Sequence, residues 1–231
     1  MIRSILLALH ILLIIAWLGI DVGVFTSSFL IRKRGLSSDA RIELRRLMRG
    51  LDLAPRLSLM ATPLVGIALA DSIGIIAVPG AVIGLVAALT LLWLAGALWA
   101  YRRLDATGRP RRDDAAAAKR FAQTDLGLRI LVVAFFLGTG LIGIASDGGF
   151  WAAQWLALKS TLFAVTVIAG LWIRRSAKPF TPALWSVLDE GETENRMRVM
   201  DAAMRAVYPG VLTIWGTLVV MVFVATIRPS W

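Results

Sequence analysis

Three ionisable side chains stand inside long apolar runs of this chain: His10, Asp21 and Lys159. His10 is also the only histidine. A charge near the centre of a bilayer costs about 2.5–3.5 kcal/mol on insertion scales, so each such position asks for a use or a partner. A neutral imidazole can ligate a metal through one ring nitrogen. An ammonium can pair with Asp21, with a substrate carboxylate or with the acidic group of a cofactor. Plainer roles compete with these: a hydrogen-bonded packing histidine, and an Asp21–Lys159 pair that neutralises itself across two helices.

Spacing groups these residues. At about 100° per residue, His10, Trp17 and Asp21 fall within roughly 20° of one line on a helix, and Ser28 continues it. The same arithmetic aligns Lys159 with Thr166 and Gly170, with Trp155 one turn away. Gly170 removes side-chain volume from the lysine's face, which leaves room for another helix or a flat cofactor.

The elements that carry them are membrane helices. The chain has 231 residues, 58% of them hydrophobic, and a mean hydropathy of +0.75, against an apolar content of roughly 45–50% for soluble domains. Apolar runs at 4–31, 57–76, 79–101, 126–146, 150–173 and 207–227 are each long enough to cross lipid as a helix. Pro63 and Asp71 interrupt the second. The expected fold is all-α, a polytopic bundle of about six transmembrane helices forming one domain over 1–231. "SSDARIELRRLMRGLD" has helical spacing with a cap at Ser37 or Ser38, "PALWSVLDEGETENRMRVMDAAMRAV" reads as one or two amphipathic interfacial helices, and "ATGRPRRDDAAAAKR" as a turn before an Ala-rich helix start. "GTGLIG", residues 138–143, matches GxGxxG, but no strand precedes it, so its glycines are expected to serve close helix packing.

There is no cysteine, which excludes disulfides, thiolate metal sites and Cys-linked haem. The net charge of +10 is concentrated: of 25 Lys and Arg, 8 lie in 32–56, 8 in 102–129 and 6 in 174–205. By the positive-inside rule, the basic loops at 32–56, 102–129 and 174–206 are cytoplasmic and both termini lie outside, as expected for a bacterial inner-membrane protein. Their partners are then anionic lipid headgroups rather than nucleic acid. Arg3 alone precedes the first apolar run, and no small-residue cleavage site follows, so that run reads as a retained helix. In this orientation His10 lies about 10 Å to the outer side of the midplane, Lys159 about 4–5 Å to the outer side and Asp21 about 6 Å to the inner side.

Four motifs, in this order, carry a resemblance: His10 and Trp17 in "HILLIIAW", Thr62-Pro63 in "MATPLVG", Trp155, Leu156 and Lys159 in the pattern W-L-x-x-K, and Pro209 at the start of the last helix. They resemble the HemJ-type protoporphyrinogen oxidases and the wider group of bundles that includes CopD-like copper proteins. The third and fourth helices would be a pair inserted between the family's second and third, which preserves the orientation of the later helices. The resemblance implies haem b, with His10 as axial metal ligand, Lys159 as an essential polar residue, and Trp17, Trp155, Thr62 and Gly170 around the cofactor. Two positions depart from the family. Its histidine eleven residues beyond the lysine is Gly170 here, and its Asn-Glu before the last-helix proline is replaced by "RAVYPG". A single histidine leaves His10 alone, a weak second ligand, or a second subunit in a homo-oligomer to complete the coordination.

The expected function is therefore a haem-dependent membrane oxidoreductase, acting on a porphyrin or exchanging electrons with quinone, with Lys159 and Asp21 as candidate catalytic residues. The alternatives are a proton-coupled, anion or copper transporter using Asp21 and Lys159, or an accessory subunit without chemistry. Copper is poorly served, because only Met60, Met204 and Met221 lie in or beside the apolar spans. A retinal Schiff base on Lys159 is disfavoured by six spans in place of seven.

Overall fold

The structure is a computed structural model that describes residues 1–105, 107–109 and 114–229. It is all-helical: α1 (Ile2–Leu30), α2 (Ser38–Ser72), α3 (Gly80–Arg102), α4 (Ala115–Ala145), α5 (Gln154–Ser176), α6 (Phe180–Glu190) and α7 (Glu194–Ile227). Six stretches are long and apolar enough to cross a membrane, namely α1 to α4, Gln154–Glu190 and α7. α1 buries only Trp17, Ser27 and Ser28, and its other faces expose Ile5, Leu12 and Ile15. Such a surface suits hydrocarbon, where every backbone group is already satisfied within the helix.

Two expected boundaries move. The amphipathic segment before the second span is not a separate helix: α2 runs unbroken for 35 residues through Pro55 and Pro63. Its start is set by Ser37, whose hydroxyl accepts from Ala40 N at 3.3 Å, with Asp39 in the first turn. At Pro63 the ladder loses a donor, and the neighbouring Thr62 Oγ1 donates to Ser58 O at 2.7 Å. Similarly, the last span does not begin at Pro209. α7 starts at Glu194, capped by the Thr193 hydroxyl, which accepts from Arg196 N at 3.3 Å, and carries Pro209 in its interior. In both cases a well-capped amphipathic turn continues into the apolar run; Pro63 is buried, and beside the exposed Pro209 the backbone at Gly210 packs on Ala169 and Ile173 of the preceding span. Within "ATGRPRRDD", Ala106 and residues 110–113 lie outside the described residues; α4 then begins at Ala115.

α5 lies between α4 and α7, α1 packs on α2, and α3 lies beside α2 and α4. Ala157, Ala164 and Val167 of α5 are completely buried. The "GTGLIG" glycines make that possible. A Cβ at Gly143 would sit 2.6 Å from Ala157 Cβ and 2.7 Å from Gly148 O, and one at Gly140 would meet Ala157 O at 3.0 Å. α4 and α5 thus touch backbone to backbone, as small-residue seams allow in membranes. Beyond the seam the chain turns through Asp147 (φ 49°) and Gly148 (φ 108°). Trp151 then folds back, stacked on Phe136 at 5.7 Å and donating its indole N–H to Thr139 Oγ1 at 3.1 Å.

The three basic connections converge on one end of the bundle. Arg41, only 1% exposed, donates to Ile31 O at 2.5 Å and Lys33 O at 2.9 Å, and pairs with Glu192. Arg32 reaches Asp201 at 2.9 Å and Tyr208 Oη at 2.7 Å. Trp185 donates to Thr107 O at 3.2 Å, and Arg109 meets Asp189 at 2.5 Å. Much of the basic charge therefore ties α1, α2, α6, α7 and the α3–α4 connection into a cap.

Candidate functional site

At the end of the bundle opposite the cap, where α1 begins and α7 ends, lies a cavity of about 450 Å³, within the usual range of roughly 300–1,000 Å³ for small-molecule sites. His10 and Trp17 reach it from α1, Thr62 and Gly66 from α2, Trp155 and Lys159 from α5, and Met221 from α7. α1, α2, α5 and α7 supply most of its lining. α4 adds Phe136, and α3 contributes nothing among the described residues.

Each side chain has a local reason to be there. His10 and Trp17 are two turns apart on one face of α1, and Trp17, 3% exposed, closes the bottom of the cavity edge-on to Phe163 at 6.4 Å. The imidazole lies against α2 at Gly66, where an added Cβ would stand in ordinary contact, 3.7 Å from His10 Cε1. Thr62 spends its hydroxyl proton on Ser58 O. Ser160, next to Lys159, donates to Phe136 O at 2.7 Å and fastens α5 to α4.

Two features set the chemistry. His10 Nδ1 is buried and has no hydrogen-bond partner, although buried polar atoms are nearly always paired. Among the described residues, the charged side chains lining the cavity are Arg3, Lys159 and Arg228, all of them cationic. Among the described residues Lys159 has no carboxylate within 4.0 Å. Arg228 lies over the Trp155 ring at 5.6 Å. An apolar chamber with a free ring nitrogen and three cations suits a flat or elongated anion that also offers a site to a nitrogen donor.

The structure does not bring Asp21 to Lys159. Asp21 lines a second cavity, of about 620 Å³, on the side of the basic cap, and Gly170 lines it too. There Asp21 Oδ2 accepts from Trp215 Nε1 at 2.9 Å. Thr166, on the lysine's line, is fully buried and shares a hydrogen bond with Thr217 at 2.8 Å. The Asp21–Lys159 pair, one of the alternatives, is thus not formed, and Gly170 does leave open space, but on the second cavity and not beside Lys159. His10, Trp17, Thr62, Trp155 and Lys159 share one chamber, Asp21 and Gly170 belong to the other, and Trp17 borders both.

Sequence reasoning missed Trp215, the Met221 lining and a buried ionic cluster. In the cluster, Asp125 Oδ2 meets Arg129 at 3.0 Å and Arg174 at 2.6 Å, while Oδ1 accepts from Trp93 Nε1 at 2.9 Å. A signal was present, because Asp125 and Arg129 stand four residues apart at the edge of a span, the helical spacing of an ion pair. Among the described residues no group of three or more His, Cys, Asp or Glu could hold a metal ion. His10 is a lone nitrogen donor, so a metal at it would have to bring most of its own ligands. No family model, curated protein or solved structure matches this chain.

Proposed function

We propose that this chain is a haem-binding redox protein of a bacterial inner membrane, with haem b in the chamber lined by His10 and Lys159. The observation that carries the reading is the single histidine, its buried Nδ1 without a hydrogen-bond partner, on the lining of a chamber whose charged side chains among the described residues are cationic. A porphyrin supplies four nitrogen donors itself, which fits a chain with one histidine and no ligand cluster. His10 would hold the iron, and Met221, the one methionine among the described residues of that lining, would offer a weak second donor. Lys159, Arg3 and Arg228 would hold propionate or substrate carboxylates, and Trp17 and Trp155 would lie along the apolar body.

Haem bound there supplies one-electron chemistry. The chain's own residues bind and orient. Lys159 fixes a carboxylate, Trp17 separates the chamber from the second cavity, and Phe163 backs the tryptophan against water entry. The substrate class that suits this lining is a lipophilic anion such as a porphyrin, or a quinone reached through the lipid-facing side. In the membrane the basic cap faces the cytoplasm and the chamber faces the outer side, in keeping with the charge bias of the loops.

The test is a haem titration followed by quenching of tryptophan emission. Lys159→Met is expected to weaken the Kd about tenfold, equivalent to about 1.4 kcal/mol, with unchanged helicity. Equal affinity in wild type and variant would remove Lys159 from ligand binding.

A further inference from the structure

The second cavity is lined by six basic side chains, Arg45, Arg49, Arg56, Arg129, Arg174 and Lys178, against three acids, Asp21, Asp52 and Asp125. The acids are already engaged. Asp52 pairs with Arg56, Asp125 with Arg129 and Arg174, and Asp21 accepts from Trp215. Among the described residues Arg45, Arg49 and Lys178 are left without a carboxylate. Arg45 is half-buried and reaches only neutral acceptors, Thr107 O at 3.4 Å and Thr181 Oγ1 at 3.3 Å, with its guanidinium over the Phe180 ring at 5.8 Å. Arg49 donates to Tyr101 O at 3.1 Å and to Asp105 O. Burying charge without a counter-charge is costly, so this surplus of cations calls for an anion.

A second feature points the same way. Phe180 and Thr181 place the N-terminus of α6 on the wall of this cavity. No side chain caps that terminus, and its residue 182 is a proline without an N–H. A helix start carries partial positive charge that favours phosphate groups; here Phe180 N–H is already given to Ala177 O and Ala183 N–H to Pro179 O, so the open backbone donor is the Thr181 N–H. Lys178 stands two residues before it, exposed at the rim.

We propose that the cavity lined by α2, by Leu104 and Gly108 and by the start of α6 binds a phosphate-bearing anion through Arg45, Lys178 and the Thr181 N–H. The group is either the phosphomonoester headgroup of a lipid or a soluble phosphate, and the chemistry of recognition is common to both. Because three separate stretches of chain meet around it, the bound anion ties the cap together. This site stands at the other end of the bundle from the His10 chamber and does not depend on haem.

The experiment uses the full chain in phosphatidylcholine nanodiscs, with two probes. In one arm the discs are doped with phosphatidic acid and the lipid retained on the protein is counted by native mass spectrometry. In the other, inorganic pyrophosphate is titrated by calorimetry into protein in undoped discs. Binding in the first arm alone identifies a lipid headgroup; binding in the second alone, or in both, identifies a site open to soluble phosphate. Lys178→Gln, which breaks no hydrogen bond within the protein, and Arg45→Gln are each expected to weaken the bound probe about tenfold or more. Failure of wild type to bind either probe overturns the proposal, as does undiminished binding by Lys178→Gln.

Discussion

Asp21 has one neutral donor within reach, the indole N–H of Trp215 at 2.9 Å. Both groups sit in the bundle interior, so removing the donor leaves an acceptor short of its partner, a loss of about 1–3 kcal/mol. Trp215→Phe is therefore expected to lower stability to SDS unfolding by that amount. In a double-mutant cycle with Asp21→Leu the two changes should be markedly non-additive; simple additivity would show that the hydrogen bond contributes nothing. Helix periodicity puts His10 and Trp17 on one face, and both line the same chamber with the half-buried Lys159. The angle around α1 also aligns Asp21 with His10, and only the depth along the helix, which sets Asp21 roughly 10 Å to the inner side of Lys159, carries their separation. Eleven residues, about 16 Å along α1, take Asp21 from the chamber of His10 to the level of Trp215. Gly170 is carried away from Lys159 in the same manner along α5.

At the scale of the element, the glycines of "GTGLIG" decide how closely α4 meets α5. Gly143→Ala drives a methyl to 2.6 Å from Ala157 Cβ and is expected to cost about 1–3 kcal/mol. Gly138→Ala, with nothing within 4 Å of the added carbon, should stay within about 0.5 kcal/mol of wild type. Equal effects at the two glycines would contradict the seam. The packing role was legible from the sequence, whereas the continuity of α2 and α7 through Pro63 and Pro209 was not, since proline marks a break unless tertiary contacts hold the turn. The cap too has a measurable signature. The Gly35 N–H at 3.1 Å and the Arg41 guanidinium hold the Glu192 carboxyl below its ordinary value of 4.5. A lowered folded value means that the unfolded chain takes up the proton first. The stabilisation is thus complete above 4.5 and is lost as pH falls through the lower folded value. Wild-type Tm should fall more steeply below that pH than the Tm of Glu192→Gln, and parallel curves would show that the contact is silent.

The molecule as a whole presents two chambers, back to back, with Trp17 as their common wall. One holds His10 and Lys159 among apolar and aromatic walls; the other is basic and is roofed by the three charged connections. The six-helix architecture could be read from hydropathy, because lipid admits few other solutions for so apolar a chain. The pairing of chambers could not, because it arises from where α1, α2, α5 and α7 splay apart, which no residue pattern encodes. The central claim, haem in the His10 chamber, is tested most directly by the visible absorption spectrum of protein purified from cells supplied with haem, comparing wild type with His10→Ala. The account predicts a Soret band in wild type that is lost or displaced in an equally helical His10→Ala protein. A wild type without a Soret band, or an identical band in both proteins, would contradict it.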